Sequence, residues 1–237
     1  MLVDKRKILI WCFALSGIGL FVSCLMSCGK SGNASPKGLN IQYHVLNLSP
    51  DMNPVGLYMD NKQVNSNPFI YGVDQGYFYV PSTDTPYQIR SIQYNGTTLL
   101  HSDAVLVSGA KYTLYITGTV ADRSDTALLT VDTGAAPALG RGKIRFVDVS
   151  PSATGGLDVY ANGTLAFSKI VYRKSSSYIE LPIGNYDLQI NATGSSAVLK
   201  DLPGVTIQDG RLYTLYAYGY TSRADTAAFN AATIVNK

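Results

Sequence analysis

Two histidines, His44 and His101, stand in the chain, and its three cysteines, Cys12, Cys24 and Cys28, all fall near the start. A zinc centre needs several His, Cys or carboxylate ligands at defined spacing. A Ser–His or Cys–His nucleophile needs a positioned base. Neither histidine has such company in sequence, and His44 reads as a residue on the face of a strand. No glycine-rich phosphate loop leads into a helix. The tract Asn47-Leu48-Ser49-Pro50-Asp51-Met52-Asn53 offers oxygen ligands without the spacing of a calcium loop, and reads as a turn. The expectation is therefore a protein with no catalytic residues, no metal and no cofactor: not an enzyme.

Two other groups carry chemistry. Arg123-Ser124-Asp125-Thr126-Ala127 recurs as Arg223-Ala224-Asp225-Thr226-Ala227. The plain reading is a hairpin corner with an exposed Arg–Asp pair of small energetic worth. The sharper reading is O-glycosylation at Thr126 and Thr226, because Asp-Thr-Ala resembles the Asp-Thr-small sites modified in exported proteins of some Gram-negative lineages. Tyrosine is the second group, with 17 Tyr against 7 Phe and 1 Trp. Tyr216, Tyr218 and Tyr220 share one face if their strand continues, and an exposed aromatic row suits a glycan or protein surface. The competing reading places these rings in the core and at sheet edges.

The elements that must hold these groups are strands. Gly109-Ala110-Lys111-Tyr112-Thr113-Leu114-Tyr115 returns as Gly210-Arg211-Leu212-Tyr213-Thr214-Leu215-Tyr216, and this duplication extends over most of the chain. Ile41 to Pro50 corresponds to Ile144 to Pro151 with extra residues in the first copy, Leu57–Asn61 to Val159–Gly163, and Tyr77–Pro81 to Tyr178–Pro182. Tyr186, Leu188 and Ile190 alternate with Asp187, Gln189 and Asn191, the period of a sheet with one wet face. Leu212–Tyr218 is apolar on both faces and predicts a central strand. Asn95-Gly96 and Asn162-Gly163 are tight-hairpin signals, and Pro182–Asn185 is a further turn. Turns at intervals of roughly 8–12 residues suit an all-β sandwich.

The first 27 residues hold Lys5, Arg6, Lys7 and Asp4, a net charge of +2 that leaves +1 of the total +3 for the remainder. No basic field remains to attract nucleic acid. After Lys5-Arg6-Lys7, Ile8 to Ser27 is uncharged and mostly apolar, the layout of a secretory signal. Its length also suits a retained membrane helix of about 20 residues. Leu25-Met26-Ser27-Cys28 resembles the bacterial lipobox, which implies lipidation of Cys28 by a thioether-linked diacylglycerol, with an acyl chain such as palmitate on its amine. Gly29 resembles the signal for passage to the outer membrane. Gly29–Asn33 lacks the acidic residues that often mark surface display, and leaves both the periplasmic and the surface face open. Residues 28–39 are poor in apolar side chains and read as a flexible tether.

The second copy carries Val149-Ser150-Pro151, Asp158-Val159-Tyr160-Ala161-Asn162-Gly163, Tyr178 to Tyr186 and Gly210 to Leu215. That succession is similar to the bacterial family catalogued as domain of unknown function 4397, and the first copy fits it less closely. The resemblance implies an immunoglobulin-like sandwich in secreted and lipid-anchored envelope proteins, and brings no catalytic residues. The expected architecture is all-β, with two tandem immunoglobulin-like antiparallel β-sandwich domains after an N-terminal signal or anchor helix. The expected divisions are a lipoprotein signal peptide (1–27), a tether (28–39), a first repeat (40–132), a linker (133–142) and a second repeat (143–237). The expected role is a lipid-anchored, non-enzymatic binding, adhesion or assembly module of the cell envelope at the outer membrane. Its expected partners are the membrane, an envelope protein or a glycan, not nucleic acid. The alternative is a carbohydrate-binding accessory lipoprotein using exposed tyrosines.

Overall fold

The computed structural model describes residues 41–237 other than 53, 60, 81–85, 94 and 95. Cys28, the signal or anchor helix and the tether lie outside the described residues. The first repeat holds β1 (Ile41–Asn47), β2 (Val55–Met59), β3 (Lys62–Gln63), β4 (Phe78–Val80), β5 (Tyr87–Ser91), β6 (Thr98–Ser102), β7 (Lys111–Thr117) and β8 (Thr126–Val131). The second holds β9 (Arg141–Asp148), β10 (Leu157–Ala161), β11 (Thr164–Ile170), β12 (Lys174–Ser175), β13 (Ile179–Pro182), β14 (Gly184–Ala192), β15 (Val198–Ile207), β16 (Leu212–Tyr218) and β17 (Asn230–Val235). No helix occurs among the described residues.

Each repeat is two sheets around a core. In the first, β4-β1-β7-β8 packs on β3-β2-β5-β6; in the second, β12-β9-β16-β17, with β13 also on β9, packs on β11-β10-β14-β15. The duplicated Gly-x-x-Tyr-Thr-Leu strand is central in each copy, between β1 and β8 or between β9 and β17. Most pairings are antiparallel, but β1 runs parallel to β7 and β9 parallel to β16. This departs from an all-antiparallel expectation. A parallel pair needs a long crossover, which the strands of the opposite sheet supply.

Register also corrects the gapped alignment of the opening strand. Gln42 faces Lys111 and Lys143 faces Leu212, so both strands of the pair are displaced by the same 101 residues. Tyr43 therefore corresponds to Ile144, His44 to Arg145 and Asn47 to Asp148. At the second hairpin, Ala161 opposes Thr164, and Asn162 (φ 48°) and Gly163 (φ 76°) form the two-residue turn. Both residue types tolerate positive φ. Pro182–Gly184 is a corner rather than a hairpin, because β13 pairs with β9 while β14 pairs with β10 and β15.

Alternation sorts the side chains of the central strands between two cores. Tyr43, Val45, Leu114 and Ile116 fill the first sandwich, and Ile144, Phe146, Tyr213 and Leu215 the second. The residues between them join a third cluster: Leu46, Leu48, Tyr115, Val147, Val149, Tyr216 and Ile234. The two repeats thus meet across their inner sheets, within one compact unit spanning Gly38–Lys237. Leu212–Tyr218 is apolar on both faces because one faces its own sandwich and the other faces the neighbouring repeat. β9 begins at Arg141, inside the stretch read as linker.

Candidate functional site

The seam between the repeats is tied by polar groups around Asp132, which is buried. Its carboxylate accepts hydrogen bonds from Tyr77 Oη at 2.7 Å, Thr113 Oγ1 at 2.6 Å and Thr130 Oγ1 at 2.9 Å, and pairs with Arg145. Arg145 crosses from the second repeat, also donating to the Val131 carbonyl at 2.7 Å and to Thr214 Oγ1 at 2.9 Å. Its guanidinium lies 5.0 Å from the Tyr178 ring centroid. Asn236 holds the position in the second repeat that Asp132 holds in the first. It accepts from Thr214 Oγ1 at 2.7 Å and donates to Tyr77 Oη at 2.8 Å. Burial, and next the Asp132 charge, push the Tyr77 phenol upward in pKa. With so many partners these groups act as structural glue.

His44, the counterpart of Arg145, is buried on β1. Its Nε2 lies 2.7 Å from Asp74 Oδ1, and its ring is 5.1 Å from that of Tyr77. The His44 contact holds the Asp74 carboxyl below its ordinary pKa. This His–Asp pair ties the loop after β3 to the inner sheet, the structural role expected of a strand-face histidine. His101 is exposed on β6.

The three tyrosines of the proposed platform do not form an open row. Tyr216 is 4% exposed, with its ring 5.7 Å from Tyr115 and 5.7 Å from Tyr218. Burial raises the pKa of all three phenols, and that of Tyr71, facing Tyr218 and Tyr220 from the first repeat, is pushed up to about 12. Tyr220 reaches the mouth of the seam, where it lines a cleft of about 530 Å³ with Pro50, Asp51, Thr119, Ala121, Asp122 and Arg223. Its charges are engaged: Asp51 accepts from Val120 N at 3.0 Å and Ala121 N at 2.9 Å, and Arg223 pairs with Asp225. The Asn47–Asp51 tract is thus a turn whose carboxylate clasps the loop after β7.

Thr126 begins β8, half-buried opposite Thr117, whereas Thr226 is exposed in a turn. The two copies of Arg-x-Asp-Thr-Ala also differ in geometry. Arg223 pairs with Asp225, while Arg123 sits at φ 61° and Asp125 N donates to the Thr119 carbonyl at 3.1 Å. Accessibility for glycosylation is therefore greater at Thr226.

Two features escaped the sequence reading. One is Asp148, fully buried, with Ser150 N donating to Oδ1 at 2.9 Å and no partner on Oδ2. Burial pushes this carboxyl up to about 7. A carboxylate between Val147 and Val149 on a mostly apolar strand was the available signal. The other is a groove of about 320 Å³ along the edge of β4, lined by Val64, Asn65, Ser66, Asn67, Phe69, Gln75, Phe78 and Tyr79. Asn65 accepts from Leu57 N at 2.7 Å and donates to the Asn67 carbonyl at 2.6 Å, while Gln75 donates to the Pro68 carbonyl at 2.7 Å. Tyr79 is 60% exposed.

Two sandwiches, each with its first strand parallel to its next-to-last (β1 with β7, β9 with β16) and joined through their inner sheets, make this a tandem β-sandwich protein. The chain belongs to the family described as Domain of unknown function (DUF4397), whose model matches residues 42–155 and 152–236. The two tandem matches are consistent with two copies of the domain, the first running on through β9. No curated protein matches the chain.

Proposed function

We propose that this protein is a lipid-anchored component of the cell envelope that binds a partner without chemical turnover, held at the outer membrane through acyl chains on Cys28. The observation that supports a binding role is the β4 groove. Its walls are preset by side-chain-to-backbone hydrogen bonds, and it presents a large exposed ring beside amide groups. A preformed concavity with a few placed polar groups is the usual form of a ligand site. In the seam, Asp132, Arg145 and the Tyr77 phenol are occupied by one another and by neighbouring hydroxyls and amides, which makes it a support. An envelope protein or a glycan is the proposed partner; the near-neutral charge beyond residue 27 does not favour nucleic acid. A carbohydrate-binding accessory role is the second reading, favoured by Tyr79 standing among amides. O-glycosylation at Thr226, and at Thr126, is proposed as a modification of the same exported protein.

Two measurements test this. Metabolic labelling with a clickable palmitate analogue should mark the wild-type protein and not Cys28→Ala, which should leave the membrane fraction. A photo-crosslinking residue placed at Asn67 should give one discrete adduct on intact cells. Absence of lipid label on the wild type sinks the anchor, and absence of any Asn67 adduct sinks the binding site. Intact-mass measurement of native protein reads out hexose additions at the threonines.

A further inference from the structure

Resting on the binding reading above, we infer that the β4 groove is a site for a neutral oligosaccharide, with Tyr79 as the stacking platform. None of its eight lining residues carries a charge: the polar ones are Asn65, Ser66, Asn67 and Gln75, beside the Tyr79 phenol, and the apolar wall is Val64, Phe69 and Phe78. Charged ligands require charged partners to offset desolvation. A sugar ring requires an apolar plane for its C–H face and amides or hydroxyls for its edge. An amide has two donor hydrogens and two acceptor lone pairs, and the Asn65 contacts above use one of each. Capacity remains for a ligand's hydroxyls.

The second repeat shows that Tyr79 is not a requirement of the fold. At the corresponding place on β13 stands Glu180, which receives a hydrogen bond from Ala138 N at 3.3 Å and faces Lys143 at 3.6 Å. Folding satisfies that position with a small polar network, whereas the first repeat puts an aromatic ring there and leaves it largely in water. The opposite wall differs too. β3 lasts two residues, after which the chain turns aside as Val64–Phe69; β11 follows β10 for seven residues and sends Phe167 into the core against Phe146, centroids 6.3 Å apart. Both changes open the first repeat at one place. The wall is also preset, since Phe69 exchanges two backbone hydrogen bonds with Val55 at 3.1 and 2.8 Å. A preorganised wall lowers the ordering cost of binding.

The test uses the full chain, purified in a detergent without a sugar headgroup, on an array of neutral and anionic oligosaccharides. Neutral glycans should be retained, and Tyr79→Ala should weaken the best of them by at least about tenfold, as expected for removal of a central aromatic contact. Tyr79→Phe should stay within about threefold of wild type, since the stacking plane persists. Both variants should melt with the wild type, because the ring is exposed. Retention of anionic glycans alone, or neutral binding indifferent to Tyr79→Ala, overturns the assignment. No glycan retention together with an Asn67 adduct to an envelope protein overturns the saccharide while leaving the binding reading intact. No glycan and no adduct overturns both.

Discussion

The first repeat carries Asn47, Asp132, His44 and Tyr79 where the second carries Asp148, Asn236, Arg145 and Glu180. The strands around these positions keep one register, so the pairs report what each site demands. Asn47 donates from Nδ2 to the Met52 carbonyl at 2.6 Å and accepts from Ser49 N at 3.2 Å. Asp148 keeps only the second of these contacts, and its other oxygen is buried without a partner. At the seam the asymmetry is productive. One carboxylate and one guanidinium meet across it, where two copies of the same charge would repel. Two like units can pack through a self-complementary two-fold contact, but here the ion pair is made once, because the counterparts of Asp132 and Arg145 are Asn236 and His44.

That comparison is most directly broken at the seam. Arg145→Met leaves the Asp132 carboxylate buried without its cation and should lower unfolding free energy by about 3–5 kcal/mol. Urea denaturation measures it; a loss under about 1 kcal/mol would mean that the hydroxyl donors alone satisfy Asp132.

Asp148→Asn restores the arrangement of the first repeat and should stabilise the protein above neutral pH. The folded carboxyl titrates near 7 against an ordinary value of 3.8. Between those values the native state holds the extra proton, so wild-type stability falls as pH rises from about 4 to 7 and then levels. At about 1.4 kcal/mol per unit, the recoverable amount has a ceiling of about 4 kcal/mol. Melting curves from pH 4 to 8 should show the wild type losing stability relative to the variant. Parallel curves would show that Asp148 is solvated.

A smaller effect is expected at Asn65→Ala, which removes the acceptor for Leu57 N and the bridge to Asn67. About 1 kcal/mol should be lost, the cost of one side-chain-to-backbone hydrogen bond, and cleavage by a nonspecific protease should increase within Val64–Phe69. An unchanged digestion pattern would show that the groove wall is held by backbone contacts alone. Arg223→Ala should leave the melting temperature unchanged, because the Arg223–Asp225 pair is exposed and screened. A measurable drop would mark the seam cleft as a structural element.

The strands were legible where alternation and turn chemistry are local properties. Asn162-Gly163 announced its hairpin, and the two-faced apolarity of Leu212–Tyr218 announced a central strand. The same apolarity could not say what covered the second face. Tyr216 reads alike as a platform or as packing, and only the neighbouring Tyr115 ring decides. Asp132, just past the end of β8, and Arg145, on β9, lie 13 residues apart, and their meeting depends on how the inner sheets face each other. The β4 groove is assembled from a loop, an amide and an edge strand that no short motif unites.

The amino-acid sequence by itself determined the β class, the doubling, the chain positions of the turns and the family, because these follow from side-chain period, φ tolerance and direct residue matches. Tertiary structure decided that β1 lies parallel to β7, that the repeats share an apolar seam, that Asp148 is buried and that Tyr79 rather than Tyr216 meets water. Those are properties of long-range contact. Burial and hydrogen-bond satisfaction are set by whatever arrives from distant parts of the chain, so one residue type ends as core at Tyr216 and as surface at Tyr79.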